Sequence, residues 1–189
     1  MPPDNIPRKL LVLDLDETLV HARESVLEHE PDFYVGPYAV YRRPYLDKFI
    51  ASVAEKFDVC VWTSAGEEYA QQIAEEIFPV GVLKFLLSGQ HCVIARDFET
   101  NEYSPIKDLK KLKPKGFDLG SIVAVDDTPS KYRRNFGNLV TVREFVGDIS
   151  DSELPLLLRY LNILAEVENI RTIEKRNWRN QVLALDVNN

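Results

Sequence analysis

The chain has 189 residues, with 23 Lys and Arg against 30 Asp and Glu for a formal net charge of −7, 45% hydrophobic residues and two cysteines. That length fits one domain on a prior of roughly 100–200 residues, and the composition is ordinary for a globular chain without repeats or low-complexity segments. The acidic balance argues against nucleic acid as the main partner, because duplex binding needs Lys and Arg to replace phosphate counterions; two cysteines make no disulfide framework, and no apolar run approaches the roughly 20 residues of a membrane helix.

Met1 to Lys9 carries polar groups and three prolines, with no apolar stretch behind a basic start. The expectation is a soluble, intracellular protein, cytoplasmic by default, with residues 1–8 as an extension, 9–180 as the domain and 181–189 as a disordered tail. Lys9 to Leu13 is a short apolar run that stops at Asp14, the pattern of a buried parallel strand. Phe33 to Tyr41 is rich in aromatic and β-branched residues around Gly36-Pro37, which predicts a small inserted hairpin. Pro44 suits a first helical position, followed by Leu46, Phe49, Ile50 and Val53 at helical spacing. Phe57 to Trp62 predicts a second strand ending at Thr63, and Tyr69, Ile73 and Ile77 predict a helix closed by Pro79. Ser121 to Val125 predicts a third strand ending at Asp126, and Asn138 to Val142 a weaker fourth. A last leucine stripe, Leu154, Leu157, Leu158, Leu161 and Leu164, follows either a capping box at Ser150 and Glu153 or, as Pro155 suggests, a start nearer Ser152, with Trp178 beyond it as a docking residue. Strands alternating with helices give an α/β class with a mostly parallel sheet.

Polar residues cluster where three of these strands stop: Asp14 and Asp16, Thr63 and Ser64, Asp126 and Asp127. In open parallel sheets, ligands bind outside the carboxyl ends of the strands, so these distant positions should meet. Residues two apart in extended chain face one side, so Asp14 and Asp16 address one centre. Two carboxylates beside a phosphate need a cation, and Mg²⁺ takes hard oxygen ligands from one or two carboxylates, with Asp126 or Asp127 supplying the remaining acidic ligand. The set suits phosphoryl transfer: Asp14 as a nucleophile forming a phospho-aspartate, Asp16 as general acid and then base, Thr63 holding a phosphate oxygen near a helix N-terminus, and Lys107 balancing charge. Bland alternatives stand beside these roles. Thr63 also reads as a plain strand-to-helix cap, and Lys107, with Lys110, Lys111, Lys113 and Lys115 nearby, as part of a solvated charge run. His21, His29 and His91 lack metal-ligand spacing.

Asp14-Leu15-Asp16-Glu17-Thr18-Leu19-Val20-His21, Val61-Trp62-Thr63-Ser64-Ala65, Ile106-Lys107-Asp108-Leu109 and Val125-Asp126-Asp127-Thr128-Pro129 resemble, in order, the four motifs of the haloacid dehalogenase superfamily. More narrowly they resemble the FCP/SCP phosphatases of the RNA polymerase II carboxy-terminal domain and their relatives. The resemblance, from about Lys9 to Leu164, implies a Rossmann-like fold with no large cap. It also implies Mg²⁺ held by Asp14, the main-chain carbonyl of Asp16, and Asp127, with Asp126 supporting, and a phosphate site that includes Thr18, Thr63, Ser64 and Lys107. One departure stands out: relatives commonly carry a phosphate-binding arginine where this chain has Gly89, which leaves Arg43 or Arg96 as substitutes.

The intervals from Asp14 to Thr63 and from Thr63 to Lys107 leave little room for a cap, and an open site admits a loop or tail of another protein. The expected activity is a Mg²⁺-dependent phosphoserine/phosphothreonine protein phosphatase, acting as a monomer on a phosphoprotein or phosphopeptide, with no nucleic-acid or membrane partner. The alternatives are a phosphatase of a small metabolite or nucleotide and a non-catalytic protein-binding relative. Phe33, Tyr34, Tyr38 and Tyr41 are expected to pack the hairpin rather than line a peptide groove.

Overall fold

The computed structural model describes residues 8–96 and 101–187, so residues 1–7 of the expected extension lie outside the described residues. In chain order, β1 (Leu10–Leu13) is followed by an insertion of β2 (Val20–Arg23), β3 (Phe33–Val35) and β4 (Tyr38–Arg42). Then come α1 (Leu46–Lys56), β5 (Asp58–Trp62), α2 (Glu67–Ile77), β6 (Leu83–Leu87) and a hairpin of β7 (Val93–Arg96) and β8 (Tyr103–Ile106). A 3₁₀ segment over Leu109–Lys115, β9 (Ile122–Asp126), a 3₁₀ turn over Pro129–Tyr132, β10 (Leu139–Thr141), α3 (Glu153–Ala165) and α4 (Trp178–Val187) complete the chain.

Five strands form one parallel sheet in the order β10-β9-β1-β5-β6. Side chains of β1 alternate between its faces. Leu11 and Leu13 enter a core with α1, α2 and α3 and with Trp178 and Val182 of α4. Leu10 and Val12 meet Cys60, Trp62, Leu109, Leu112 and Tyr132 on the other face. Both faces are thus covered, which is why the strand sequence is apolar without alternation. The sheet matches the expected α/β fold, but its edge strand β6 and the separate two-stranded β7-β8 hairpin lie beyond the elements legible in the sequence.

Gly36 has a φ of +55° between β3 and β4, as a two-residue hairpin turn with glycine in its first central position requires. The hairpin predicted there is joined by β2 into a three-stranded sheet ordered β2-β4-β3, and this is all that the chain inserts between β1 and α1.

Three local expectations are corrected. Pro44 does not open α1, which begins at Leu46 after Tyr45 turns the chain with a φ of 68°. No capping box forms at α3, because Ser150 Oγ bonds Asp148, while Glu153 accepts the Arg143 N–H and its own N–H donates to Asp151; the helix starts at Glu153 after Ser152, the start that Pro155 suggests. The tail expected to be disordered from residue 181 continues α4 to Val187, with Val182 fully buried in the core; residues 188–189 lie outside the described residues. No described helix is long and apolar enough to cross a membrane.

The register places the chemistry. Leu13 pairs with Val61 on one side and Val125 on the other, so Asp14, Trp62 and Asp126 follow side by side. The Asp14 N–H extends the ladder to the Val125 carbonyl at 3.1 Å. Behind these strand ends, the fully buried Arg43 guanidinium forks onto both oxygens of Asp151 at 2.9 and 2.8 Å and also donates to the Thr18 and Arg143 carbonyls.

Burial alone would raise the Asp151 pKa, but its hydrogen bonds with Arg43 and the Glu153 N–H outweigh it and hold the group below the ordinary value. A depressed carboxylate contributes stability above its unfolded pKa and loses it as pH falls through the folded pKa. Asp151→Asn should therefore cost on the order of 3 kcal/mol at neutral pH by leaving Arg43 without its counter-charge. In urea unfolding, the gap from wild type should close as pH falls below about 4. An equal gap at all pH values would refute the ion-pair account.

Candidate active site

Asp14 sits at the centre, 1% exposed, immediately after β1. Lys107 Nζ lies 2.8 Å from its Oδ1 and Lys131 Nζ lies 3.0 Å from its Oδ2. The same two ammoniums reach Asp126, Lys107 at 2.5 Å and Lys131 at 3.6 Å. Burial pushes the Asp14 pKa up, but the charges of Lys107 and Lys131 outweigh it, and the net shift is downward. Asp126 is pushed up to about 7, first by burial and then by the Asp14 charge. The two carboxylates are thus shifted in opposite directions, Asp14 down and Asp126 up.

Asp16 stands in a different environment. Its Oδ1 accepts a 2.6 Å hydrogen bond from the Tyr69 hydroxyl on α2. Burial raises its pKa more than that bond lowers it. Two carboxylates on one wall thus have environments that push them apart, the arrangement that separates a nucleophile from an acid. Glu17, with a φ of +56°, turns the chain sharply after them, and its pKa is raised to about 7, by burial first and then by Asp16 and Asp127.

Asp127 receives the Thr128 hydroxyl at 3.1 Å and a longer contact of 3.5 Å from Thr18. Carboxylate oxygens of Asp14, Asp126 and Asp127 lie within 4.8 Å of one another. Such a set of hard anionic donors fits Mg²⁺. The Asp16 carboxylate is outside this group.

Above these groups opens a cavity of about 540 Å³ lined by Asp14, Asp16, Glu17, Thr63, Ser64, Tyr69 and Lys131, among others. Thr63 accepts the Ala65 N–H at 3.0 Å through its hydroxyl in the loop before α2, whose N-cap is Gly66, so it lines the cavity without capping that helix. Ser64 Oγ is buried and has no hydrogen-bond partner. Thr18 and Lys107 are fully buried and do not line the cavity; Thr18 supports Asp127, and Lys107 clamps Asp14 to Asp126. Lys107 is thus no part of the solvated charge run, whose Lys110, Lys111, Lys113 and Lys115 are exposed.

Neither substitute for the absent arginine reaches the cavity. Arg43 is committed to Asp151 and two carbonyls, and Arg96 bonds Asn101 on the far hairpin. Gly89 itself has no room for a side chain: a Cβ there would lie 2.4 Å from the Ser64 carbonyl oxygen, and its N–H already donates to Ala65 O at 2.8 Å. Of the aromatics, Tyr41 is buried and accepts the Leu27 N–H, whereas Tyr38 lines the cavity and meets Tyr69 edge-on with centroids 5.9 Å apart. Packing explains Tyr41 but not Tyr38. The sequence reading missed Lys131, and it counted Tyr69 only as part of a helical stripe. The signal for Lys131 was its place just past the last motif, where Pro129 starts a tight turn that brings the chain back over the strand ends.

A family model described as NLI interacting factor-like phosphatase matches residues 9–171. A Dictyostelium discoideum protein named "Probable C-terminal domain small phosphatase" is 34% identical over 94% of this chain and 58% of its own length. The CTD nuclear envelope phosphatase 1 of Xenopus laevis is 32% identical over 91% of this chain and 73% of its own. Among solved structures, fission yeast RNA polymerase II CTD phosphatase Fcp1-R271A bound to beryllium fluoride superposes with a TM-score of 0.56 at 20% identity, covering 95% of this chain and 51% of that one. That likeness establishes the shared fold. The chain thus spans between half and three quarters of the length of these three proteins.

If the three-aspartate group holds a divalent ion, Mg²⁺ should raise the midpoint of thermal unfolding, by an amount corresponding to about 2.7 kcal/mol at a hundred times its Kd. Asp127→Asn should reduce that shift sharply. An unchanged midpoint in wild type at saturating Mg²⁺ would count against the site.

Proposed function

Because the chain belongs to the NLI interacting factor-like phosphatase family, we propose that it is a Mg²⁺-dependent protein phosphatase that removes phosphate from serine or threonine through a phospho-aspartate at Asp14. The observation that carries this reading is the contrast between two carboxylates on one cavity wall, Asp14 held ionised by paired ammoniums and Asp16 with a raised pKa.

In the first step, an oxygen of Asp14 attacks phosphorus and the bond to the leaving serine or threonine oxygen breaks. Asp16 gives its proton to that oxygen, and a phospho-Asp14 remains. In the second step, the Asp16 carboxylate takes a proton from water as the water attacks phosphorus, and inorganic phosphate leaves with Asp14 restored. Tyr69 holds Asp16 at 2.6 Å and fixes its direction through both steps. Thr63 and Ser64 face the phosphate oxygens, and Lys107 keeps Asp14 and Asp126 together. Asp14, Asp127 and the Asp16 carbonyl, with Asp126 beside them, would hold Mg²⁺, which when bound would neutralise charge on the phosphoryl oxygens.

The protein substrate is supported by openness. The insertion between β1 and α1 is a three-stranded sheet rather than a domain, and it leaves Tyr38 and Tyr69 at the cavity wall. A chain segment carrying phosphoserine has access that a closing cap would deny.

Purified protein should release phosphate from an aryl phosphate with Mg²⁺ and stop when a chelator is added. Asp14→Asn should abolish turnover while the protein stays folded; wild-type rates in that variant would sink the assignment. Asp16→Asn should lower kcat roughly 10²–10⁴-fold on phosphopeptides, whose alkoxide leaving group needs the proton, and less on an aryl phosphate. Faster turnover of sugar phosphates or nucleotides than of phosphoserine peptides would replace the protein-substrate reading with a metabolite one.

A further inference from the structure

Lys131 has no part in the two steps above, yet it is the one cation on the cavity wall among the described residues. We propose that Lys131 is a substrate-binding catalytic residue: its ammonium, resting on Asp14 Oδ2, transfers its hydrogen bond to a non-bridging oxygen of the incoming phosphoryl group, with the Ser64 hydroxyl as its neighbour on that group. The inference deepens the phosphatase reading and rests on it for the identity of the anion.

Four observations carry it. The cavity wall presents Asp14, Asp16 and Glu17, so a phosphate dianion meets acidic groups unless a cation faces it. Lys107 does not line the cavity, and its side chain, 0% exposed, lies between two carboxylates. Lys131 is 20% exposed, with its ammonium at the cavity and already in contact with the nucleophile. Ser64 adds a buried hydroxyl without a partner in the same wall.

The backbone fixes Lys131 there. The Lys107 N–H donates to the Lys131 carbonyl at 2.8 Å, and the Lys131 N–H donates to Thr128 O at 3.2 Å. Position 89 offers no rival, since a side chain on Gly89 would run into the Ser64 and Ala65 carbonyls. Its place beside Asp14, Asp126 and Asp127 also means that the side chain must swing only from one oxygen of Asp14 to a phosphate oxygen bound next to it.

The test uses inorganic phosphate, which needs no turnover. Calorimetric titration in Mg²⁺ should show phosphate binding to wild type. Lys131→Met should bind it roughly ten- to hundredfold more weakly, as loss of a charge-assisted hydrogen bond implies. Lys131→Arg should recover most of the affinity, and Ser64→Ala should lose less than Lys131→Met. With an aryl phosphate, Lys131→Met should raise KM by a similar factor and lower kcat, whereas Lys131→Arg should restore KM first. Circular dichroism and melting curves confirm that each variant is folded, and Lys131→Arg keeps the test decisive if Lys131→Met is not. Equal phosphate affinity in wild type and Lys131→Met, or no phosphate binding by wild type, overturns the proposal. Phosphate binding that depends on Lys131 in a protein that hydrolyses no phosphoester would uphold it and defeat the phosphatase reading instead.

Discussion

A carboxylate buried at the end of the central strand and held between two ammonium groups is the constraint on which the site depends. Asp14 and Asp126 stand on neighbouring strands because β1 and β9 pair in register, and two carboxylates at that spacing need cations between them. Lys107 reaches them from the segment after β8 and Lys131 from the turn after β9. The backbone bond between these two lysines ties their segments together. Sheet register, turn geometry and charge are therefore one problem with one solution.

The same arrangement gives Asp16 its separate character. It lies one residue beyond the chain's exit from the sheet, where no lysine contacts its carboxylate, and a tyrosine hydroxyl is its partner. Its carboxylate has no ion pair among the described residues where that of Asp14 has two, so a short stretch of chain holds two carboxylates with opposite tendencies. Tyr69 links this difference to the insertion, because Tyr38 at the start of β4 packs edge-on against it. The wall that would meet a peptide under the proposed function also holds Asp16, the general acid of that proposal.

Much of this was legible in the sequence because buried parallel strands leave apolar runs and their ends carry the polar residues. Asp14, Thr63 and Asp126 were readable as strand ends by that logic alone. The losses have physical causes. Lys84 interrupts β6, an edge strand with a partly exposed face, so its run does not resemble that of a central strand. Pro105 lies inside β8, where a proline argues against a strand unless it is at an edge, and a two-stranded ladder has only edges. The burial of Lys107 was invisible because composition around it suggests solvent; the chain turns into a 3₁₀ segment immediately afterwards and sends the later lysines outward. Lys131 escaped because its role is set by a tight turn rather than by a period.

Gly89 shows how a missing side chain can be a consequence of packing. Its backbone presses on the carbonyls of Ser64 and Ala65, the loop that leads from β5 into α2 and forms one wall of the cavity. Close approach of two main chains brings the wall in and excludes any cation from that direction. The positive charge facing the cavity then has to come from the opposite side, where the turn beginning at Pro129 carries Lys131. A bulkier residue at 89 would need that loop to move, which would shift Thr63 and Ser64 with it. The glycine and the lysine are thus two halves of one geometric choice, a tight wall on the β5 side and a cationic one on the β9 side.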